Sequence, residues 1–178
     1  AVLKLSLHSF LDRHCGRGAV LYGSGPSLEV ALADEDAIPV DVLHCAVNET
    51  ALKLDRVDYV FANDVQHWVA ELPASVTLFH PRRTACGPAQ CNVCAFDDAA
   101  DASRLTALPE SLARSGLFAG EGTINSAIQV LAIMGIEEVL CVGIDGDHAP
   151  YDRLRKRFEA HAARLGVELY FYGEEEAE

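Results

Sequence analysis

Residues 20–28 read Val-Leu-Tyr-Gly-Ser-Gly-Pro-Ser-Leu, an apolar run followed by a glycine-rich turn and the start of a helix. The two glycines permit positive φ and close backbone approach. The proline suits a first helical turn, because its missing N–H has no helical partner there. A helix that begins at this point directs free N–H groups and its positive dipole end toward the turn, which favours a phosphate or carboxylate. The alternative is a tight turn without a ligand. The residues assigned to this anion site are Gly23, Ser24, Gly25, Pro26 and Ser27.

Short apolar runs alternate with helical patterns outward from this turn. The predicted strands are Ala19–Tyr22, Asp41–Val47, Val57–Ala62, Val76–His80, Glu138–Gly143 and Val167–Tyr172. The predicted helices are Pro26–Ala33, Asp64–Leu72, Thr123–Met134 and Tyr151–Leu165. This alternation predicts a Rossmann-like α/β fold, a three-layer α/β/α sandwich around a mostly parallel sheet of about six strands. We expect one domain over residues 1–178.

Composition excludes several classes of partner. The chain has 14 Lys and Arg against 27 Asp and Glu, a net charge of −13, so duplex nucleic acid would be repelled by most of its surface. No apolar run approaches the roughly 20 residues that cross a bilayer, and residues 1–10 do not resemble a secretion signal. We therefore expect no membrane span and a cytoplasmic location. The sequence leaves open whether the chain forms a homo-oligomer.

Polar residues follow the second and third predicted strands. Asn48 comes directly after one strand, and Asn63 with Asp64 after the next. The carboxyl ends of parallel strands meet at the edge where such folds bind ligands, and an asparagine amide could read a sugar or a base. The alternative is that Asn48 and Asp64 cap the helices that follow.

Two further glycine-bearing junctions could carry chemistry. Gly122 and Thr123 open the best helical pattern and could form a second anion site at a helix N-terminus, although Thr123 could simply cap. After the strand at 138–143, Asp145 and Asp147 could hold Mg²⁺, and His148 could act as a general base. The alternative for this second junction is ordinary turn chemistry.

The segment Pro81–Leu117 is turn-rich and fits no strand–helix unit, so we predict an insertion or lid. The alternative is a surface excursion with a helix of its own. It contains Cys86, Cys91 and Cys94, the opening spacing of a plant-type [2Fe–2S] site. The later cysteine, Cys141, falls in a predicted core strand. The other hypothesis that involves a metal is a zinc site. We favour free thiols on a loop over zinc or an iron–sulfur cluster.

Two blocks carry a resemblance to a known superfamily. They are the Gly-Ser-Gly-Pro-Ser-Leu junction and residues 122–145, which read GTINSAIQVLAIMGIEEVLCVGID. Both resemble the bacterial sialyltransferase-like glycosyltransferases and, equally, the related archaeal 6-hydroxymethylpterin diphosphokinase-like proteins. The resemblance implies that residues 23–27 approach the nucleotide phosphates, that Asn48 and Asn63 contact the nucleotide or its sugar, and that Gly122 and Thr123 approach from the opposite side. One departure is that sialyltransferases usually have aromatic residues where this chain has Gly146 and Asp147.

Three functions follow as hypotheses. The first is a transferase that uses a nucleotide-activated sugar of the CMP-sugar type, with catalysis assigned to His148 and Asp145. The second is a Mg²⁺- and ATP-dependent pterin diphosphokinase, in which Asp64, Asp145 and Asp147 hold the metal. The third is a non-catalytic nucleotide-binding module.

Overall fold

The computed structural model describes residues 4–34, 36–65, 67–99, 108–120, 122–145 and 151–174. Within these ranges eight strands form one sheet, and every neighbouring pair is parallel. The strands are β1 (Lys4–Leu5), β2 (Ala19–Tyr22), β3 (Leu43–Val47), β4 (Tyr59–Phe61), β5 (Thr77–Pro81), β6 (Asn92–Phe96), β7 (Glu138–Val142) and β8 (Glu168–Phe171). Their order across the sheet is β1-β6-β5-β4-β3-β2-β7-β8. The predicted α/β class is confirmed, with eight strands rather than about six.

Helices cover both faces of this sheet. The α-helices are α1 (Ser27–Leu32), α2 (Pro109–Ser115), α3 (Thr123–Ile133) and α4 (Tyr151–Arg164). Shorter 3₁₀ segments span Leu7–Phe10, Asn48–Lys53 and His67–Glu71. Helix α1 shares one apolar cluster with the 3₁₀ segments that follow β3 and β4, whereas α2, α3 and α4 belong to the cluster on the opposite face.

The strand sequences explain this two-sided core. Successive side chains of a strand point to opposite faces, so Val20 and Val60 pack in one cluster while Leu21 and Phe61 pack in the other. All four side chains are buried. Strands that are apolar on both faces need cover on both faces, which is the arrangement that parallel sheets require.

The chain reverses its direction across the sheet between β2 and β7. From β2 the chain passes through α1 to β3 on one side, and from β7 it passes through α4 to β8 on the other. Open parallel sheets bind their ligands outside the carboxyl ends of the strands near such a reversal. A ligand-binding site is therefore expected near the loops after β2 and β7.

Two local predictions differ from the structure. The helix predicted over Asp64–Leu72 forms as a 3₁₀ segment over His67–Glu71, a geometry used for short pieces of chain. Its start lies beyond Asp64, whose side chain lines a cavity instead.

The segment Pro81–Leu117 also contains a strand that the sequence analysis did not predict. Strand β6 pairs with both β5 and β1, and α2 lies near the end of the segment. The interpretation of all three cysteines as loop thiols is wrong for Cys94, which lies in β6. Cys91 and Cys94 are buried in apolar clusters on opposite faces of the sheet, so their thiols do not converge.

Candidate functional site

The loops after β2, β3, β4 and β7 lie side by side along one edge of the sheet, because these strands are neighbours and parallel. This edge collects the predicted residues Gly23–Ser27, Asn48, Asn63 and Asp145. The start of α3 joins them, since the Asn63 N–H donates to Thr123 Oγ1 at 3.4 Å.

Direct hydrogen bonds join the turn after β2 to the loop after β7. The Gly25 N–H donates to the Gly143 carbonyl at 2.7 Å. The Gly143 N–H donates to Ser27 Oγ at 2.8 Å, and the Ser27 N–H donates to Asp145 Oδ2 at 3.0 Å. The Asp145 carboxylate therefore lies at the N-terminus of α1, where a negative charge interacts favourably with the helix dipole.

Gly25 and Gly143 are required by this contact. A Cβ on Gly25 would lie 2.2 Å from Asp145 Oδ2 and 2.8 Å from the Gly143 carbonyl oxygen. Gly143 has φ of +69°, and a Cβ there would lie 2.2 Å from the Gly23 carbonyl oxygen. The N–H groups of Gly25 and Ser27, predicted to meet a phosphate, thus bind protein oxygens in this structure.

Ser24 is the residue of this turn that lines a cavity of about 300 Å³, which we call the rim cavity. Its other lining residues come from the end of β3, from the segments after β3 and β4 and from the start of α3. They are Val47, Asn48, Glu49, Thr50, Asp64, Trp68 and Thr123. Six of these eight side chains, counting Ser24, are polar.

Asn48 and Thr123 meet across the rim cavity. Asn48 has φ of +55°, a left-handed conformation that is uncommon outside glycine and that asparagine tolerates better than most residues. Its Oδ1 accepts a hydrogen bond of 3.4 Å from Thr123 Oγ1. The Thr123 hydroxyl thus links the loops after β3 and β4 to α3.

Asn63 is directed into the protein rather than into the rim cavity. It is 8% exposed, and its Nδ2 donates to the Ala119 carbonyl at 2.9 Å. Its Oδ1 accepts from Ser126 Oγ at 3.0 Å. Both ends of the amide are used to hold the start of α3, so its predicted nucleotide contact has no support in the side-chain geometry.

Gln129 is a positioning residue that the sequence analysis missed. It is fully buried, and its Oε1 accepts from the Phe118 N–H at 2.9 Å. Its Nε2 donates to the Phe118 carbonyl at 2.7 Å. This amide fixes the residues that precede α3. The sequence contains one indication of this role, because Gln129 is a polar residue inside the most apolar helical pattern of the chain.

The charge of the rim cavity comes from carboxylates and a helix terminus. Glu49 and Asp64 line it, and none of its described lining residues is Lys or Arg. Its positive potential comes from the N-terminus of α3, where the N-cap residue is Gly122, which has no side chain to cap the first turn. The cavity thus has donors for one anionic group and carboxylates for a cation.

Asp145 lines a different cavity, of about 410 Å³, beside Arg155 and Phe171 at the ends of β7 and β8. Asp64 and Asp145, both predicted as metal ligands, are therefore not brought together in one cavity. Asp147 and His148 lie outside the described residues. Among the described residues, no three His, Cys, Asp or Glu side chains are grouped to hold a metal ion, and magnesium binding stays a prediction.

Comparison with protein-family models, curated proteins and solved structures gives no match. No helix in the described part of the chain is both long and apolar enough to cross a bilayer.

Proposed function

We propose that the chain is a nucleotide-dependent transferase that binds a nucleotide-activated sugar, of the CMP-sugar type, in the rim cavity. The observation that carries the proposal is the convergence of Ser24, Asn48 and Thr123 on one polar cavity at the carboxyl edge of a parallel sheet. This edge, beside the point where the strand order reverses, is where open α/β sheets bind nucleotides.

The phosphate binds at the start of α3 in this proposal. The first N–H groups of a helix have no acceptor within the helix, and they lie beside the Thr123 hydroxyl. Ser24, which also lines the cavity, adds a second hydroxyl donor. Donors fixed in this way would also stabilise the charge that develops on a departing phosphate. Asn48 offers a donor and an acceptor to the sugar or base.

The charge of the cavity supports a nucleotide with a single phosphate. One helix N-terminus and two hydroxyls can neutralise part of one anionic group. A triphosphate would meet Glu49 and Asp64 without an opposing Lys or Arg among the described lining residues. The two carboxylates instead suit the hydroxyls of the sugars.

The catalytic base remains as the sequence analysis assigned it. His148 would accept the proton of the acceptor hydroxyl. Asp145 is not assigned a catalytic role in this proposal, because its carboxylate accepts a hydrogen bond from the Ser27 N–H. We propose that it positions the turn that carries Ser24.

A Mg²⁺-dependent diphosphokinase is the second candidate, and a specific observation favours it. Glu49 and Asp64 line the same cavity, and carboxylates are the ligands that Mg²⁺ prefers. A metal held there would neutralise the phosphates of ATP.

Isothermal titration calorimetry with CMP and with ATP, in EDTA and in Mg²⁺, separates the two candidates. The transferase proposal predicts that CMP binds in EDTA and that Ser24→Ala weakens it roughly tenfold, as for loss of a hydrogen bond to a charged group. Ser111→Ala, at an exposed position on α2, is the matched control and leaves CMP binding unchanged. Binding of ATP only with Mg²⁺ would favour the diphosphokinase, and absence of both would refute the nucleotide site.

Turnover is tested separately with CMP-sialic acid as donor. Release of CMP above the rate without protein supports the transferase. Binding of CMP without any release, in the presence of lactose or other sugar acceptors, would point to the non-catalytic module.

A further inference from the structure

A second cavity, of about 340 Å³, lies at the far edge of the sheet from β8. We call it the edge cavity. It is bounded by β1, β5 and β6 on one side and by the connection over residues 82–91 on the other. That connection contains no helix, so Val93 and Ala95 of β6 stay half-exposed beneath it.

The walls of the edge cavity are apolar, and its charged groups are cationic. Val93, Ala95 and Ala89 supply apolar surface, while Lys4 and Arg82 supply positive charge. No Asp or Glu is among its described lining residues. Although Asp97 pairs with Arg82, the lining itself carries only positive charged groups in a chain of net charge −13, which favours an anionic ligand there.

The Arg82 guanidinium is held in place by its neighbours. Its Nε donates to Asp97 Oδ1 at 2.9 Å, and its Nη2 donates to the Ala95 carbonyl at 3.2 Å. The second bond ties it to β6, whose Ala95 lines the cavity. Arg82 directly follows β5, and these two bonds use two of the five N–H donors of a guanidinium, so further donors can bind a ligand carboxylate.

His80 adds a polar group of defined character to the cavity. It is 3% exposed, and its Nδ1 lies 2.9 Å from the Pro81 carbonyl oxygen. A carbonyl can only accept, so Nδ1 carries the proton and Nε2 keeps the lone pair. Burial lowers the pKa of His80, which favours this neutral form. The ring therefore offers an acceptor to a ligand that brings a hydroxyl.

We propose that the edge cavity binds a small organic hydroxy acid with a compact apolar body. The carboxylate pairs with Lys4 and Arg82, the body packs on Val93 and Ala95, and the hydroxyl donates to Nε2 of His80. A volume of about 340 Å³ is at the small end of the range for ligand pockets, roughly 300–1,000 Å³. This site shares no lining residue with the rim cavity.

The test uses Cys86, which lines the edge cavity and is half-buried. The probe is 4-hydroxybenzoate, and the readout is the rate of alkylation by iodoacetamide, resolved by peptide mass spectrometry. We expect saturable protection of Cys86 at millimolar probe or below. The exposed Cys15 is the internal control and is alkylated at an unchanged rate.

Matched probes and variants test the assigned contacts. Benzoate lacks the hydroxyl and 4-hydroxybenzyl alcohol lacks the charge, so each should protect at roughly tenfold higher concentration, as for loss of one strong hydrogen bond. Lys4→Gln should raise the half-protecting concentration of 4-hydroxybenzoate by a similar factor. Lys53→Gln, an exposed lysine outside this cavity, should not. Absence of saturable protection, equal protection of both cysteines, or equal potency of the three probes would overturn the proposal.

CMP provides a check of independence. Because the two cavities are separate, CMP should leave the alkylation rate of Cys86 unchanged. This test does not depend on the proposed transferase activity.

Discussion

Replacing Gly25 with alanine is expected to destabilise the fold strongly, because the added methyl group has no space. The new Cβ would lie 2.2 Å from Asp145 Oδ2 and 2.8 Å from the Gly143 carbonyl oxygen. The carbonyl belongs to backbone that is hydrogen-bonded to Ser27 Oγ, so it cannot move freely. Relief of the overlap therefore requires both that the two loops move apart and that Asp145 leaves the Ser27 N–H.

The magnitude follows from these two responses. Overpacking of this kind costs about 1–3 kcal/mol, and loss of a hydrogen bond to a charged group costs about 1.5–3 kcal/mol. Alanine recovers about 0.4–1 kcal/mol by restricting the unfolded chain. We expect a net loss of about 3 kcal/mol, which lowers Tm by roughly 6–12 °C in a domain of this size.

Urea unfolding, followed by far-ultraviolet circular dichroism, measures this loss. Gly87→Ala is the matched control, because no heavy atom lies within 4 Å of a Cβ there; it should stay within about 0.5 kcal/mol of the parent protein. In Gly25→Ala with Asp145→Ala, the second substitution should cost less than it does alone, since the contacts are shared. A Gly25→Ala protein as stable as Gly87→Ala would refute the argument.

Two further predictions concern buried polar groups. Gln129→Leu should lower the free energy of unfolding by about 2–4 kcal/mol, because it leaves the Phe118 N–H and carbonyl without their amide partner. The control Gln90→Leu, at an exposed loop position, should change it by less than about 0.5 kcal/mol. Equal urea midpoints for the two variants would contradict this prediction. Burial, reinforced by Arg164, lowers the pKa of His161 to about 4, so the unfolded chain binds more protons than the folded chain between about pH 6.5 and 4. The free energy of unfolding should therefore fall by about 3 kcal/mol as the pH decreases through that window. His161→Leu should reduce this pH dependence because it removes the titrating ring, whose two nitrogens are buried without a hydrogen-bond partner among the described residues. If the slope of urea stability against pH is unchanged in this variant, His161 is not the group responsible.

The sequence predicts most of the sheet, because six strands are apolar runs bounded by turn residues. Predicted Ala19–Tyr22 coincides with β2, and the other five predicted strands contain or overlap their counterparts. Strand β6 was missed because Asn92–Phe96 follows a stretch of Cys, Gly and Pro that indicates turns. Strand β1 has two residues, too few to produce a pattern.

The sequence also predicts which loops form the site, but not what their side chains contact. Parallel topology places Asn48 and Asn63 on the same edge of the sheet, as expected. The inward direction of Asn63 depends on Ala119 and Ser126, which are distant in sequence. The bond between Ser27 and Asp145 likewise joins positions 118 residues apart. Local patterns carry no information about such pairings.

The proposed function depends on a nucleotide phosphate that binds at the start of α3. The most direct test is a crystal structure of the chain with CMP, grown without divalent metal. We predict phosphate oxygens within hydrogen-bond distance, about 3 Å, of the Thr123 N–H or its hydroxyl, with the nucleoside beside Asn48. Thr123→Val, which keeps the shape and removes the hydroxyl, should weaken CMP in parallel. A phosphate bound elsewhere, or a rim cavity that shows no CMP density, would rule out the proposed phosphate site.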